Sequence, residues 1–221
     1  LSHPIRLGKS AGLNEAVKKA RGDVLIFSDA DAMYPTDAVR KFVKYLSDST
    51  VGLVTGSTKY IAEKYENIAE TSGIYTKLER FIKRHESAIG SCVGADGAIF
   101  SMKKKLYIPL KSYDINDFVI PLHVVTHDFR AVLHDGLFCL EASSADFTEE
   151  FSRQIRITNR TIRALFGHSG LMNFFRYPLF SFELISHKLI RFSVPYFLLL
   201  LLPINILLIN EGLLYKLILA G

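Results

Sequence analysis

The chain has 221 residues, 49% of them hydrophobic, and a formal net charge of +5, enough apolar material for one sizeable core in one or two domains. Positive charge alone would suit a nucleic-acid binder, so its location decides. Arg153, Arg156, Arg160, Arg163, Arg176, Lys188 and Arg191 all precede an uncharged stretch from Phe192 to Ile209, with only Glu183 of opposite sign among them. An apolar run of that length approaches the roughly 20 residues that cross a bilayer, and its basic flank places the soluble part in the cytosol, against lipid and not nucleic acid. Cys92 and Cys139 lack any metal-ligand spacing and are expected as free thiols in a reducing compartment. The chain opens on Leu1, and its last apolar run, Leu213 to Ala220, is too short to span a bilayer, so it reads as a fragment with its second span cut short.

In chain order, Ser10 to Ala20 sets Leu13, Ala16, Val17 and Ala20 at helical spacing, and Gly22 stands where a helix end takes a positive φ. Val24 to Phe27 is continuously apolar, the pattern of a strand buried on both faces, and leads into Ser28-Asp29-Ala30-Asp31. Thr36 is placed to cap a helix whose Val39, Phe42, Val43 and Leu46 recur at i, i+3, i+4 and i+7, before a short strand at Val51 to Val54. This alternation predicts a parallel α/β sheet. Ile61 to Glu86, with Ile74, Leu78, Phe81 and Ile82, reads as one or two helices lying over that sheet. Gly94 to Gly97 forms a loop into a strand at Ala98 to Ser101. Asn116 to Val125 and Glu149 to Phe166 are helices, with short strands at Ala131 to Leu133 and Phe138 to Leu140 between them. Leu171 to Ser186, interrupted or started by Pro178, fits a helix in the membrane interface. The spanning helix follows from about Leu189, where Pro195 and Pro203 are tolerable.

Asp29 and Asp31, one residue apart at a strand end, stand where open α/β sheets bind ligands. Such a pair offers oxygen ligands to Mg²⁺ or Mn²⁺ shared with substrate phosphates, although the same residues would also cap the following turn. Gly8-Lys9-Ser10 is not a P-loop, because the glycine required five positions earlier is His3. His123 and His127 have an i, i+4 spacing known from zinc enzymes, but no glutamate follows His123 and no third ligand is evident, which favours a surface or helix-end role.

Taken in order, Gly8 to Asn14, Gly22-Asp23-Val24 running into Asp29-Ala30-Asp31, Gly94-Ala95-Asp96-Gly97-Ala98, Asn116-Asp117-Phe118 and the basic helix resemble the motifs of family 2 glycosyltransferases. The resemblance extends over essentially the whole chain, including Ser186-His187-Lys188-Leu189. It implies an α/β chain: a GT-A, Rossmann-like sheet with helices on both faces, incomplete because its first β-α units are missing. An interfacial helix and C-terminal transmembrane helices would follow. The implied division is a catalytic part at 1–150, basic juxtamembrane and interfacial helices at 151–188, and a transmembrane region at 189–221. Residue by residue, Lys9, Asn14, Asp29, Asp31 and Asp96 are implied as donor-binding, Asp29 and Asp31 as metal ligands for Mg²⁺ or Mn²⁺, and Asp117 as general base. Asn116 replaces the first acid of the family's acidic pair. Asp114 is close enough to compete for the role, and Asp114 or Asn116 could instead cap a helix.

The stripe of Arg153, Arg156, Arg160 and Arg163 is expected to bind the donor diphosphate or to meet anionic lipid headgroups, or both, with Arg153 and Arg156 inward at the diphosphate and the later arginines at the lipid. Arg153-Gln154-Ile155-Arg156-Ile157 lacks the leading Gln and the Trp of the motif in processive relatives. The function implied is inverting transfer of a hexosyl or N-acetylhexosaminyl group from a nucleoside-diphosphate sugar to a glycan or lipid-linked acceptor, at the cytosolic face of the cell (inner) membrane. The alternatives are transfer to a polyprenyl phosphate and a non-catalytic membrane adaptor. The implied partners are the sugar nucleotide, the acceptor and membrane lipids.

Overall fold

A computed structural model describes residues 8–61, 66–142 and 147–220. The elements run α1 (Lys9–Lys19), β1 (Val24–Ser28), α2 (Ala38–Leu46), β2 (Val51–Ile61), α3 (Glu66–Ile89), β3 (Ile99–Lys103), α4 (Asn116–Thr126), β4 (Arg130–Ala142), α5 (Phe147–Gly167), α6 (Pro178–Leu184), α7 (Ile190–Leu207) and α8 (Leu213–Ala220). A single π turn, Ile185–Leu189, joins α6 to α7.

The sheet is mixed, in the order β1-β3-β2-β4. Strands β1, β2 and β4 run in one direction, and β3 lies antiparallel between β1 and β2. The parallel sheet expected from the alternation of elements is corrected on this point, because local periodicity does not encode which strands are neighbours. The topology brings the carboxyl ends of β1, β2 and β4 and the amino end of β3 to one edge.

One face of the sheet, with Leu25, Phe27, Leu53, Phe100 and Met102, is covered by α4 through Phe118, Val119 and Leu122 and by Ala164, Leu165, Phe180 and Leu184 from the later helices. The rings of Phe27 and Phe100 stack at 4.4 Å across the β1-β3 pair. The other face meets α2 through Ala38, Phe42 and Leu46 against Val51, Val54, Ile99 and Leu137. Each aliphatic or aromatic side chain fully buried here contributes about 1.5–3 kcal/mol of transfer free energy.

Several local expectations are displaced by tertiary packing. β1 is an edge strand among the described residues: Leu25 and Phe27 are buried while Ile26 between them is exposed, so it is not covered on both faces. Gly22 has no positive φ, and α1 ends on Ala20 in an extended conformation. The N-cap of α2 is Asp37 rather than Thr36, with no side-chain cap bond, and Asp37 instead pairs with Lys41 at 2.9 Å. Of the apolar stripe on α2, Val39 and Val43 are exposed.

α3 is one continuous helix. It exposes Ile74, Leu78 and Phe81 and turns charge inward: Glu79 takes Arg191 at 2.7 Å and Lys188 at 3.4 Å, and His187 is held between Glu79 and Glu86. Two residues of the basic flank, Lys188 and Arg191, are thereby committed to ion pairs with the protein. Pro178 occupies the first turn of α6, where its missing N–H costs nothing. From Pro178 to Leu207 the chain is helical for 30 residues and long and apolar enough to cross a membrane. The apolar side chains of α7 from Tyr196 to Leu202 are exposed.

β4 is one strand where two were expected, and β2 is longer than expected. The stretch His134-Asp135-Gly136 between the two expected strands is absorbed as an irregularity, where the register jumps from Thr55↔Leu133 to Ser57↔Phe138. Lys41 Nζ donates to the Gly136 carbonyl at 3.0 Å, and the Tyr45 ring stacks on His134 at 3.6 Å. Gly56 lies opposite this irregularity, and a Cβ there would stand 2.6 Å from the Leu137 carbonyl oxygen. Gly56→Ala must therefore move backbone, and the expected loss is about 1–3 kcal/mol. Gly12→Ala, which meets nothing within 4 Å, should be neutral or stabilising by up to about 1 kcal/mol. Chemical denaturation of both variants against the parent chain measures the difference.

Candidate active site

The sheet edge opens into a cleft of about 550 Å³. Gly8, Lys9 and Ser10 enter it from the start of α1, Asp29 from the end of β1, Thr58 from β2, Asp96 to Ala98 from the approach to β3, Glu141 from β4, Asp114 to Asp117 from the start of α4, and Arg153, Arg156, Ile157 and Arg160 from α5. Gly8 adopts φ 89°, which favours glycine. Ser10 Oγ ties α1 to the α4 entry by donating to the Asp114 carbonyl at 3.1 Å.

Asp96 is fixed on both sides. Its carboxylate accepts from Thr58 N at 2.7 Å, Thr58 Oγ1 at 2.8 Å and Ala98 N at 3.2 Å, and its own N–H donates to Thr55 Oγ1 at 2.8 Å. It pins the glycine loop to β2. The same loop docks on α4, where Ala95 N donates to the Asp117 carbonyl at 2.7 Å.

Asp117 sits in the first turn of α4, and its Oδ1 is buried without a hydrogen-bond partner. Burial pushes its carboxyl above the usual range, opposed first by the charge of Lys83 and then by Lys9 and Lys188, with Asp96 adding to the rise. Lys83 donates to the Ala95 carbonyl at 3.2 Å from the inward side of α3. Gly97 is the counterpart of this placement: a Cβ there would stand 3.1 Å from Asp117 Oδ2. The competing acid, Asp114, accepts from Lys111 N at 2.8 Å. The N-cap of α4 is Ile115, so neither Asp114 nor Asn116 caps the helix.

Asp29 lines the cleft and accepts from Lys9 Nζ at 2.6 Å, whereas Asp31 is exposed and outside the lining. The segment after β1 is nevertheless tied to β4 by a two-way backbone bridge between Met33 and Leu140, 2.9 Å in each direction. That bridge brings Asp31 toward Glu141, a residue the sequence reading missed. Glu141 Oε1 is buried without a partner, and its carboxyl is pushed up to about 7 by burial and by the charges of Asp31, Asp96 and Asp29. An acid just after the apolar run Phe138 to Leu140 was the same cue that flagged Asp29.

Asn14 is not brought to the cleft. Its amide donates to the Leu110 carbonyl at 2.8 Å, and its carbonyl accepts from Leu110 N at 2.8 Å and Tyr107 Oη at 2.6 Å, so it braces α1. Arg153 and Arg156 line the cleft as expected, but Arg160 joins them instead of facing away. Arg153 also makes a two-point pair with Glu150 at 2.7 and 3.1 Å. His127 turns back to the His123 carbonyl, and His123 meets His168 instead, so the i, i+4 pair does not converge. Both cysteines are free and buried.

The acids at the sheet edge fit a hard cation: all donors are oxygen, and Glu141 Oε1 is buried without a hydrogen-bond partner, in a carboxylate whose charge a cation would stabilise. Among the described residues no three His, Cys, Asp or Glu side chains form a ready-made metal cage.

The family model described as glycosyl transferase family 2 matches residues 1–109. No curated protein matches. Among solved structures, the mannosyltransferase PcManGT from Pyrobaculum calidifontis, in complex with GDP-Man and Mn²⁺, is 20% identical with a TM-score of 0.77 over 100% of this chain and 60% of its own. Mannosyl-3-phosphoglycerate synthase from Rubrobacter xylanophilus is 16% identical with a TM-score of 0.46, over 74% of this chain and 53% of its own. The chain thus spans about 60% of the length of the mannosyltransferase. Residues 1–109 thus match glycosyl transferase family 2, and the chain as a whole shares its fold with the mannosyltransferase.

Proposed function

We propose that the cleft transfers a hexosyl or N-acetylhexosaminyl group from a nucleoside-diphosphate sugar to an acceptor hydroxyl on a glycan or lipid-linked molecule, with inversion. The observation that carries this reading is Asp117, whose Oδ1 is buried without a hydrogen-bond partner, lining the same cleft as the acidic sheet edge and the arginines of α5. The mannosyltransferase of similar fold is in complex with GDP-Man and Mn²⁺, which supports a sugar nucleotide and a divalent cation here.

Asp29 and Glu141, with Asp31 beside them, would hold Mg²⁺ or Mn²⁺, which when bound neutralises charge developing on the leaving diphosphate. Arg153, Arg156 and Arg160 bind and orient the diphosphate oxygens through charge-assisted hydrogen bonds. Lys9 is paired with Asp29 and stands beside the same group. Asp96, with both oxygens engaged, shapes the sugar subsite through the loop it pins. As the anomeric carbon–diphosphate bond breaks, the acceptor oxygen bonds to that carbon from the opposite face, and its proton passes to Asp117. Lys83 keeps Asp117 from becoming too weak an acid to serve.

The basic flank and the 30-residue apolar helix support placement at the cytosolic face of the cell (inner) membrane. The chain is accordingly divided into a catalytic part at 1–150, a juxtamembrane part at 151–188 and a membrane part at 189–221. A non-catalytic adaptor would leave the buried, unpartnered Oδ1 of Asp117 in the cleft without a use.

Asp117→Asn should lower turnover by about 10²–10⁴-fold with little change in donor KM, measured as donor consumption by the intact protein in membranes. Activity should also fall on acidification through a pKa above the usual carboxylate range, because Asp117 must be charged to take the proton. Lys83→Met should move that acid limb to higher pH, and a pH–rate profile reads the shift. Glu141→Gln should weaken Mn²⁺ binding by about ten-fold or more, measured by titration calorimetry or electron paramagnetic resonance.

A further inference from the structure

A second, smaller pocket of about 260 Å³ adjoins the cleft, lined by Tyr113, Ile155, Arg156, Asn159, Arg160 and Arg163. Arg156 and Arg160 belong to both walls. The Arg163 guanidinium lies 5.1 Å from the centre of the Tyr113 ring, and Lys111 Nζ lies 5.8 Å from it. A cation over an aromatic face is attracted to it but keeps its full charge.

Among the described residues, Arg153 alone of the four α5 arginines is ion-paired, so Arg156, Arg160 and Arg163 face the pocket without a carboxylate. Unpaired like charges on successive turns of one helix repel, and an anion held among them relieves that repulsion. Guanidinium groups match the oxygen spacing of a phosphate, and the Asn159 amide adds a neutral donor.

We propose that this pocket is a second anion site, which receives a phosphate group carried by the acceptor. The word acceptor rests on the transferase reading; the anion site itself does not. A phosphate seated here lies beyond the cleft wall, so it anchors the acceptor while a separate hydroxyl reaches Asp117. The acceptor class is thereby a hydroxyl-bearing molecule with a nearby phosphate ester, as in a lipid-phosphate-linked glycan. It is not a phosphate whose own oxygen attacks.

The test uses the intact protein in detergent with phenyl phosphate as the probe, followed by titration calorimetry. Arg163 lines only the outer pocket, so Arg163→Gln should weaken phenyl phosphate by ten-fold or more and leave Mn²⁺ binding unchanged. Asp29→Asn should do the reverse. Tyr113→Leu, which removes the ring beneath Arg163, is the second variant and should weaken the probe in the same direction. Phenyl phosphate that binds Arg163→Gln and Tyr113→Leu as it binds the parent protein overturns the site. So does a loss confined to phosphatidylglycerol vesicles with phenyl phosphate unaffected, because the arginines would then serve bulk lipid headgroups. Loss of Mn²⁺ binding in the parent protein, with the phenyl phosphate result intact, would count against the donor-site reading alone.

Discussion

Mutual repulsion among carboxylates gathered at one edge of the sheet is the constraint on which the rest of the structure depends. Asp29, Asp96, Asp117 and Glu141 all line one cleft, with Asp31 beside it. Each is handled differently. Asp29 has Lys9, and Asp96 is satisfied by three donors, two from Thr58 on β2 and one from Ala98 in its own loop. Asp117 has the charge of Lys83 in its surroundings, and the Glu141 carboxyl is pushed up to about 7 by burial and by the charges of Asp31, Asp96 and Asp29. The acids that serve the fold are saturated. Asp117 and Glu141 each keep one buried oxygen without a hydrogen-bond partner.

The topology creates this concentration. With β3 running against its neighbours, the carboxyl ends of three codirectional strands and the entry loop of the fourth share an edge, which is where open α/β sheets place ligands. The helices then supply the opposing charge: Lys9 at the start of α1, Lys83 from the inner side of α3, and the arginines of α5. α3 has a second task. Its Glu79 and Glu86 grip His187, Lys188 and Arg191 at the π turn where the long apolar helix begins. One turn further along α3, Lys83 reaches the loop carrying Asp96 and Gly97. The origin of the apolar helix and the candidate base are thus braced by one element.

Much of this was legible in the sequence where a residue's role is local. The helices of α1, α4 and α5 and the strand ending at Asp29 follow from periodicity, and the order of the motifs pointed to the family. Roles set by nonlocal packing were not legible. Asn14 sits in a motif but spends every polar atom on Leu110 and Tyr107, nearly a hundred residues away. Glu141 matters because a bridge between Met33 and Leu140 draws Asp31 toward it. The apolar stripe of α3 suggested burial against the sheet, yet the ion pairs with the later helix turn its charged face inward and leave Ile74, Leu78 and Phe81 exposed. Arg160 read as a lipid contact because sequence spacing gives a helical stripe but not which way the stripe faces.

The central claim is that the sheet edge is a divalent-cation and diphosphate site served by a separate buried base. Anomalous diffraction from crystals of the intact protein soaked in Mn²⁺ and a nucleoside-diphosphate sugar tests it most directly. The expected result is a manganese peak bounded by Asp29 and Glu141, with the diphosphate between it and the α5 arginines and no metal at Asp117. A peak centred on Asp117, or a diphosphate bound away from this edge, would contradict it.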